Sequence, residues 1–129
     1  MKTKPIKMSV NLPVSPKEAF ELLTDSKKIK AWSGQAGKVE PKIGGKVKVF
    51  GDWASGKVLE YKLGKSLSYT WVVGDWEKPS VVKYKLTKTK TGTKVDLIHS
   101  DLPSDKEVKD HRDGWDEYFF GPMKAYLAK

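Results

Sequence analysis

Apolar residues alternate with polar ones near the start of the chain. Ile6, Met8, Val10 and Leu12 share one face of an extended segment, with Lys7, Ser9 and Asn11 on the other. That period of two predicts a half-buried strand. The pattern then changes at Val14-Ser15-Pro16-Lys17-Glu18. Ser15 suits an N-cap, Pro16 the first helical position, and Glu18 completes a capping box, so a helix should run to about Leu23. Thr24-Asp25-Ser26 offers a second cap before a short helix carrying Ile29 and Trp32, which Ser33-Gly34 should end.

Period two returns from there. Gly44-Gly45 reads as a turn, and Val47 and Val49 share a face. Gly51-Asp52 and Ser55-Gly56 read as the next connection, followed by a strand from Val58 to Leu63. Leu67, Tyr69, Trp71 and Val73 align, as do Val82, Tyr84 and Leu86 after the loop Asp75 to Pro79. Thr91-Gly92 turns into Val95, Leu97 and His99. Short turns between such runs predict an antiparallel meander.

Ser104, with Glu107 three residues on, caps the last element. Val108, His111 or Arg112, Trp115, Tyr118 or Phe119, and Tyr126 recur at helical spacing. Pro122 should remove a backbone bond to Tyr118 and kink this helix. The fold class is therefore α+β: a curved antiparallel sheet of about six or seven strands, two short helices after strand 1, and a long C-terminal helix laid across the sheet. All 129 residues fit one domain.

Composition narrows the function classes. The net charge is +9, yet Arg112 is the single arginine. Phosphate and guanine recognition relies on the arginine fork, so a specific nucleic-acid reader is disfavoured. The lysines alternate with apolar residues, as in Lys46-Val47-Lys48-Val49, which is the solvated face of strands. There is no cysteine and no run of about 18 apolar residues, so thiolate chemistry and a membrane-spanning helix are excluded. The basic N-terminus lacks the apolar stretch of a secretory signal, and a cytoplasmic location is expected. His99 and His111 are the only soft ligands, without carboxylates at suitable spacing, so no metal or other cofactor is expected.

Several short motifs follow one another in a recognisable order. They are Val14-Ser15-Pro16-Lys17-Glu18-Ala19-Phe20, Thr24-Asp25 through Ala31-Trp32, and Ile43-Gly44-Gly45-Lys46. Gly56-Lys57-Val58-Leu59-Glu60, Leu67-Ser68-Tyr69-Thr70-Trp71, Gly92-Thr93-Lys94-Val95 with Leu97-Ile98-His99-Ser100, and Gly114-Trp115 continue the series. The chain resembles the START-like, or helix-grip, superfamily, and within it the activator of heat-shock protein 90 ATPase homologues. The resemblance implies a sheet gripping the C-terminal helix, with a cavity between them. It implies binding of a hydrophobic small molecule, since superfamily members hold lipids, sterols, polyketides or plant hormones. It also raises a chaperone as a partner, although the eukaryotic namesakes join this domain to a separate N-terminal domain for which this length leaves no room.

The candidate ligand-binding residues are Trp32, Val49, Trp71, Tyr84, His99, Trp115, Tyr118 and Phe119. His99 should point inward, where it either orients a ligand and moves protons or is tied to a neighbouring hydroxyl. Trp115, Tyr118 and Phe119 should meet the sheet as pocket wall or as core. Trp32 reads as a gate or as a packing plug. Trp53 and Trp76 read as loop anchors or contact points. Asp110, Asp113, Asp116 and Glu117 read as a solvated helix face. No nucleophile elbow or phosphate-binding loop is present.

Overall fold

The computed structural model describes residues 3–129. Strand β1 (Ile6–Leu12) is followed by helices α1 (Pro16–Thr24) and α2 (Ser26–Ser33). Strands β2 (Lys38–Val39), β3 (Lys46–Val49), β4 (Ala54–Lys62), β5 (Ser66–Val73), β6 (Ser80–Thr89) and β7 (Gly92–Ser100) come next. The chain closes with α3 (Asp105–Gly114), a π-helical turn (Trp115–Phe120) and α4 (Gly121–Leu127).

The caps form as their sequences dictate. Ser15 Oγ accepts from the Glu18 amide at 3.2 Å, with Pro16 opening α1. Asp25 closes α1 and caps α2, its carboxylate accepting from the amides of Lys27 and Lys28. Gly34 ends α2 in the left-handed region at φ 76°, where a side chain would be strained.

All strand pairs are antiparallel, in the order β1-β7-β6-β5-β4-β3-β2. The two helices between β1 and β2 thus carry the chain from one edge of the sheet to the other. Pairing of the first strand with the last, Ile6 opposite His99, fixes the end of β7 beneath the C-terminal helix.

Three expectations change. Ser55-Gly56 is not a connection but part of β4, which begins at Ala54. A Cβ on Gly56 would lie 1.7 Å from the carbonyl oxygen of Thr70, so only glycine lets the two strands close here. The C-terminal helix answers Pro122 with a π turn: the Gly121 amide donates to the Asp116 carbonyl, five residues back. Proline has no N–H for the ordinary bond, and the wider turn makes room for its ring. A Cβ on Gly121 would sit 2.5 Å from the Asp116 oxygen, so the turn depends on glycine.

The wide turn also changes which residues face the sheet. Trp115, Phe119, Phe120 and Met123 are buried against it, while Tyr118 is 61% exposed. Tyr118 therefore does not meet the sheet as expected. Between sheet and helix the space is filled by side chains, among them Tyr69, Tyr84, His99 and Phe120.

Candidate functional site

The open space lies at one margin of the helix–sheet seam. It is a cleft of about 570 Å³. Phe50 and Trp53, from the β3–β4 turn, form one wall. Trp71 of β5 and Trp115 form the floor, and α3 contributes Glu107, Asp110 and His111. Phe50 adopts φ 52° without being glycine, a conformation costing on the order of 1–2 kcal/mol. Its ring contacts Trp53 and Phe119, with centroids 6.1 and 6.3 Å away. Strain held in a cleft wall is a recurrent mark of binding sites.

Two histidines sit behind and beside this floor. His99 is completely buried. The Trp115 indole N–H can only donate, so His99 Nδ1 accepts it at 3.1 Å and is unprotonated. His99 Nε2 then carries the proton and donates to Ser80 Oγ at 2.8 Å. Ser80 passes its own hydroxyl proton to the Trp71 carbonyl at 2.7 Å. Burial, with His111 nearby adding to it, holds the His99 imidazole down to about 3. Both ring nitrogens are thus committed to the core. His99 is the hydroxyl-tied histidine, bonded to Ser80 and Trp115 inside the core.

His111 is the histidine that reaches the cleft. Its Nε2 accepts from the Trp71 indole N–H at 3.2 Å, and its Nδ1–H donates to the Glu107 carbonyl at 3.0 Å. Burial lowers its pKa, opposed by the Glu107 carbonyl bond and by the Glu107 and Asp110 carboxylates. The ring stacks on Trp53 at 5.8 Å and 26°. Trp76 also approaches it, with centroids 5.6 Å apart.

Of the residues named from the sequence, Trp71, Trp115, Tyr118 and Phe119 line the cleft. Tyr84 and His99 do not; both are enclosed in the core. The Tyr84 hydroxyl pairs with that of Tyr69 at 2.6 Å, and burial pushes both phenols up. Trp32 is a plug rather than a gate: it is buried, donates to the Leu22 carbonyl at 2.8 Å and packs on Phe119 at 4.8 Å. With Val49 it bounds a separate void of only about 20 Å³. Trp53 does fold back as a loop anchor, yet remains 48% exposed and faces the cleft.

His111, Phe50, Glu107 and Asp110 were missed as site residues. One signal was available. Glu107, His111, Trp115 and Phe119 follow at intervals of four and share a helix face. Phe50 carries no such signal, because a turn residue's direction depends on the two strands it joins. Asp113, Asp116 and Glu117 are exposed, as a solvated face requires. Among the described residues no group of three or more His, Asp or Glu is arranged to hold a metal ion, and no helix is long and apolar enough to cross a membrane.

The model of the family described as Activator of Hsp90 ATPase homolog 1-like protein matches residues 13–128. No curated protein matches the chain. Among solved structures, an HSP90 activator from Plasmodium falciparum superposes with a TM-score of 0.86 at 23% identity, covering 98% of this chain and 97% of that one. CalU16 from Micromonospora echinospora gives 0.82 at 22% identity, covering 96% of this chain and 76% of that one. The Aha1 dimer from Colwellia psychrerythraea gives 0.80 at 17% identity, covering 97% and 96%. At these identities the likeness is one of fold.

Proposed function

The chain belongs to the Activator of Hsp90 ATPase homolog 1-like family, and from that premise we propose that it binds an apolar or amphipathic small molecule in the aromatic cleft. The observation that carries this reading is the convergence of Phe50, Trp53, Trp71, Trp115 and Phe119 on one open space of about 570 Å³. Sites for small molecules have this size and lining. Burial of a ligand's apolar surface contributes roughly 25 cal/mol per Å² before the costs of association. Orientation falls to the polar groups of the rim, not to His99.

The test is native mass spectrometry of freshly purified protein, before and after denaturation, on the wild type and Trp53→Ala. An added mass that disappears on denaturation, and is absent from the folded variant, supports the reading. Identical apo masses from a protein that also ignores amphipathic probes would contradict it.

A second reading is supported by the family itself and by the Plasmodium falciparum structure of nearly the same extent, whose name is HSP90 activator. Here the protein is a cytoplasmic chaperone accessory, and its surface matters more than its cleft. Failure to recover any such chaperone in a pull-down at low salt, where charge attraction is least screened, would remove this reading.

A further inference from the structure

We infer that the cleft selects a cation: a small aromatic or alkyl amine, or a quaternary ammonium compound, in preference to neutral or anionic molecules of the same shape. The inference rests on the cleft reading above and adds the ligand's charge.

The chain as a whole is strongly basic, with 25 basic and 16 acidic residues. The cleft reverses that balance. Among the described residues its charged wall residues are Glu107 and Asp110, and neither lysine nor arginine lines it. Lys109 and Arg112 belong to the same helix but are exposed and stand outside the cleft. Lys106 meets Asp110 at 3.3 Å with 86% of its side chain exposed, a pairing that water and salt largely screen. His111 adds no positive charge in its neutral state. That state is required by the Trp71 indole, whose N–H could not face a protonated Nε2. Glu107 Oε1 lies 3.6 Å from His111 Nδ1, which donates instead to the Glu107 carbonyl.

The apolar walls point the same way. Trp53 and Tyr118 are 48% and 61% exposed, so ring surface is open to a ligand beside the carboxylates. Aromatic faces attract cations through their quadrupole, and tryptophan does so best. An anion would meet both the ring faces and two carboxylates unfavourably. The net positive charge opposes a cation only at long range, and at physiological salt it is screened beyond about 8 Å. The near groups therefore decide.

The experiment is a titration followed by ¹H–¹⁵N spectra, with Trp53, Trp71 and Trp115 indoles as reporters. The probes are benzyltrimethylammonium, benzyl alcohol and phenylacetate, applied to the wild type, to Asp110→Asn and to Glu107→Gln with Asp110→Asn. In the wild type the ammonium compound should bind roughly tenfold tighter than the alcohol, and phenylacetate more weakly still. The double variant should reduce the ammonium's affinity to about that of the alcohol, a loss several-fold larger than any change in the alcohol's own affinity. Asp110 is exposed, so the single variant keeps the fold and should show part of the loss. Equal binding of alcohol and ammonium, tighter binding of phenylacetate, or a preference that survives both substitutions would overturn the inference while leaving the cleft reading in place. Silence of the three indoles toward every probe would overturn both.

Discussion

The Trp71 indole N–H donates to His111 Nε2 at 3.2 Å, joining the sheet to the C-terminal helix. The same Trp71 accepts the Ser80 hydroxyl at its carbonyl, and Ser80 accepts from His99, which accepts from Trp115. Donor and acceptor alternate without conflict along the whole chain of bonds. Among the described residues no buried side-chain nitrogen or oxygen is left without a partner. The two indoles of the cleft floor are therefore held in place by hydrogen bonds, Trp71 to His111 and Trp115 to His99.

Trp32 and Trp53 should separate structure from binding. Trp32 is buried with its N–H satisfied, so Trp32→Ala should cost about 3–5 kcal/mol in urea unfolding. Trp53 is half-exposed on a turn, and Trp53→Ala should cost about 1 kcal/mol or less while removing most affinity for amphipathic probes. Equal stability losses at the two sites would show that Trp53 is core.

The architecture was legible because caps and period-two runs are local signals. Ser15-Pro16 and Asp25 placed α1 and α2 within a residue or two. The site was less legible. Parity placed His99 inward correctly, but parity cannot tell an enclosed position from one beside a cleft. Tyr118 was misplaced because the π turn adds a residue to the helical repeat, and its cause, Pro122, acts through three-dimensional bonding. Trp53 faces the cleft only because the β3–β4 turn folds over Trp71 and His111.

Protonation should unfold this core from within. Burial holds His99 down to about 3 and His111 below its usual 6.5. The unfolded chain therefore takes up protons on both rings that the folded chain refuses. The associated stability is complete above about pH 6.5 and is lost as pH falls toward 3, on the order of 4 kcal/mol for a shift of this size. Urea midpoints should decline between pH 6.5 and 5, where few carboxylates titrate. His99→Gln should flatten that decline. A flat wild-type profile would show that neither ring is desolvated.

Trp115→Phe keeps the ring bulk but deletes the indole N–H. His99 Nδ1 is then buried without a donor, at a cost of about 2–3 kcal/mol by equilibrium unfolding. A loss of only a few tenths would mean that water reaches His99.

Gly121→Ala should be among the most disruptive single-methyl additions in the protein. The new Cβ meets the Asp116 carbonyl at 2.5 Å, and backbone cannot step aside cheaply. A loss of about 2 kcal/mol or more is expected in unfolding experiments. Pro122→Ala restores an N–H toward Tyr118 and should be tolerated within about 1 kcal/mol. The reverse ranking would contradict the π turn.

The most direct test of the binding cleft is a ¹H–¹⁵N titration of the wild-type protein with 2-phenylethanol, a neutral amphiphile that owes nothing to the charge inference. Saturable shifts at the Trp53 indole and at the amides of Phe50, His111 and Phe119 are the predicted result. Saturable shifts confined to another face, such as the outer sheet around Lys83 and Lys85, or no shifts at all, would contradict it.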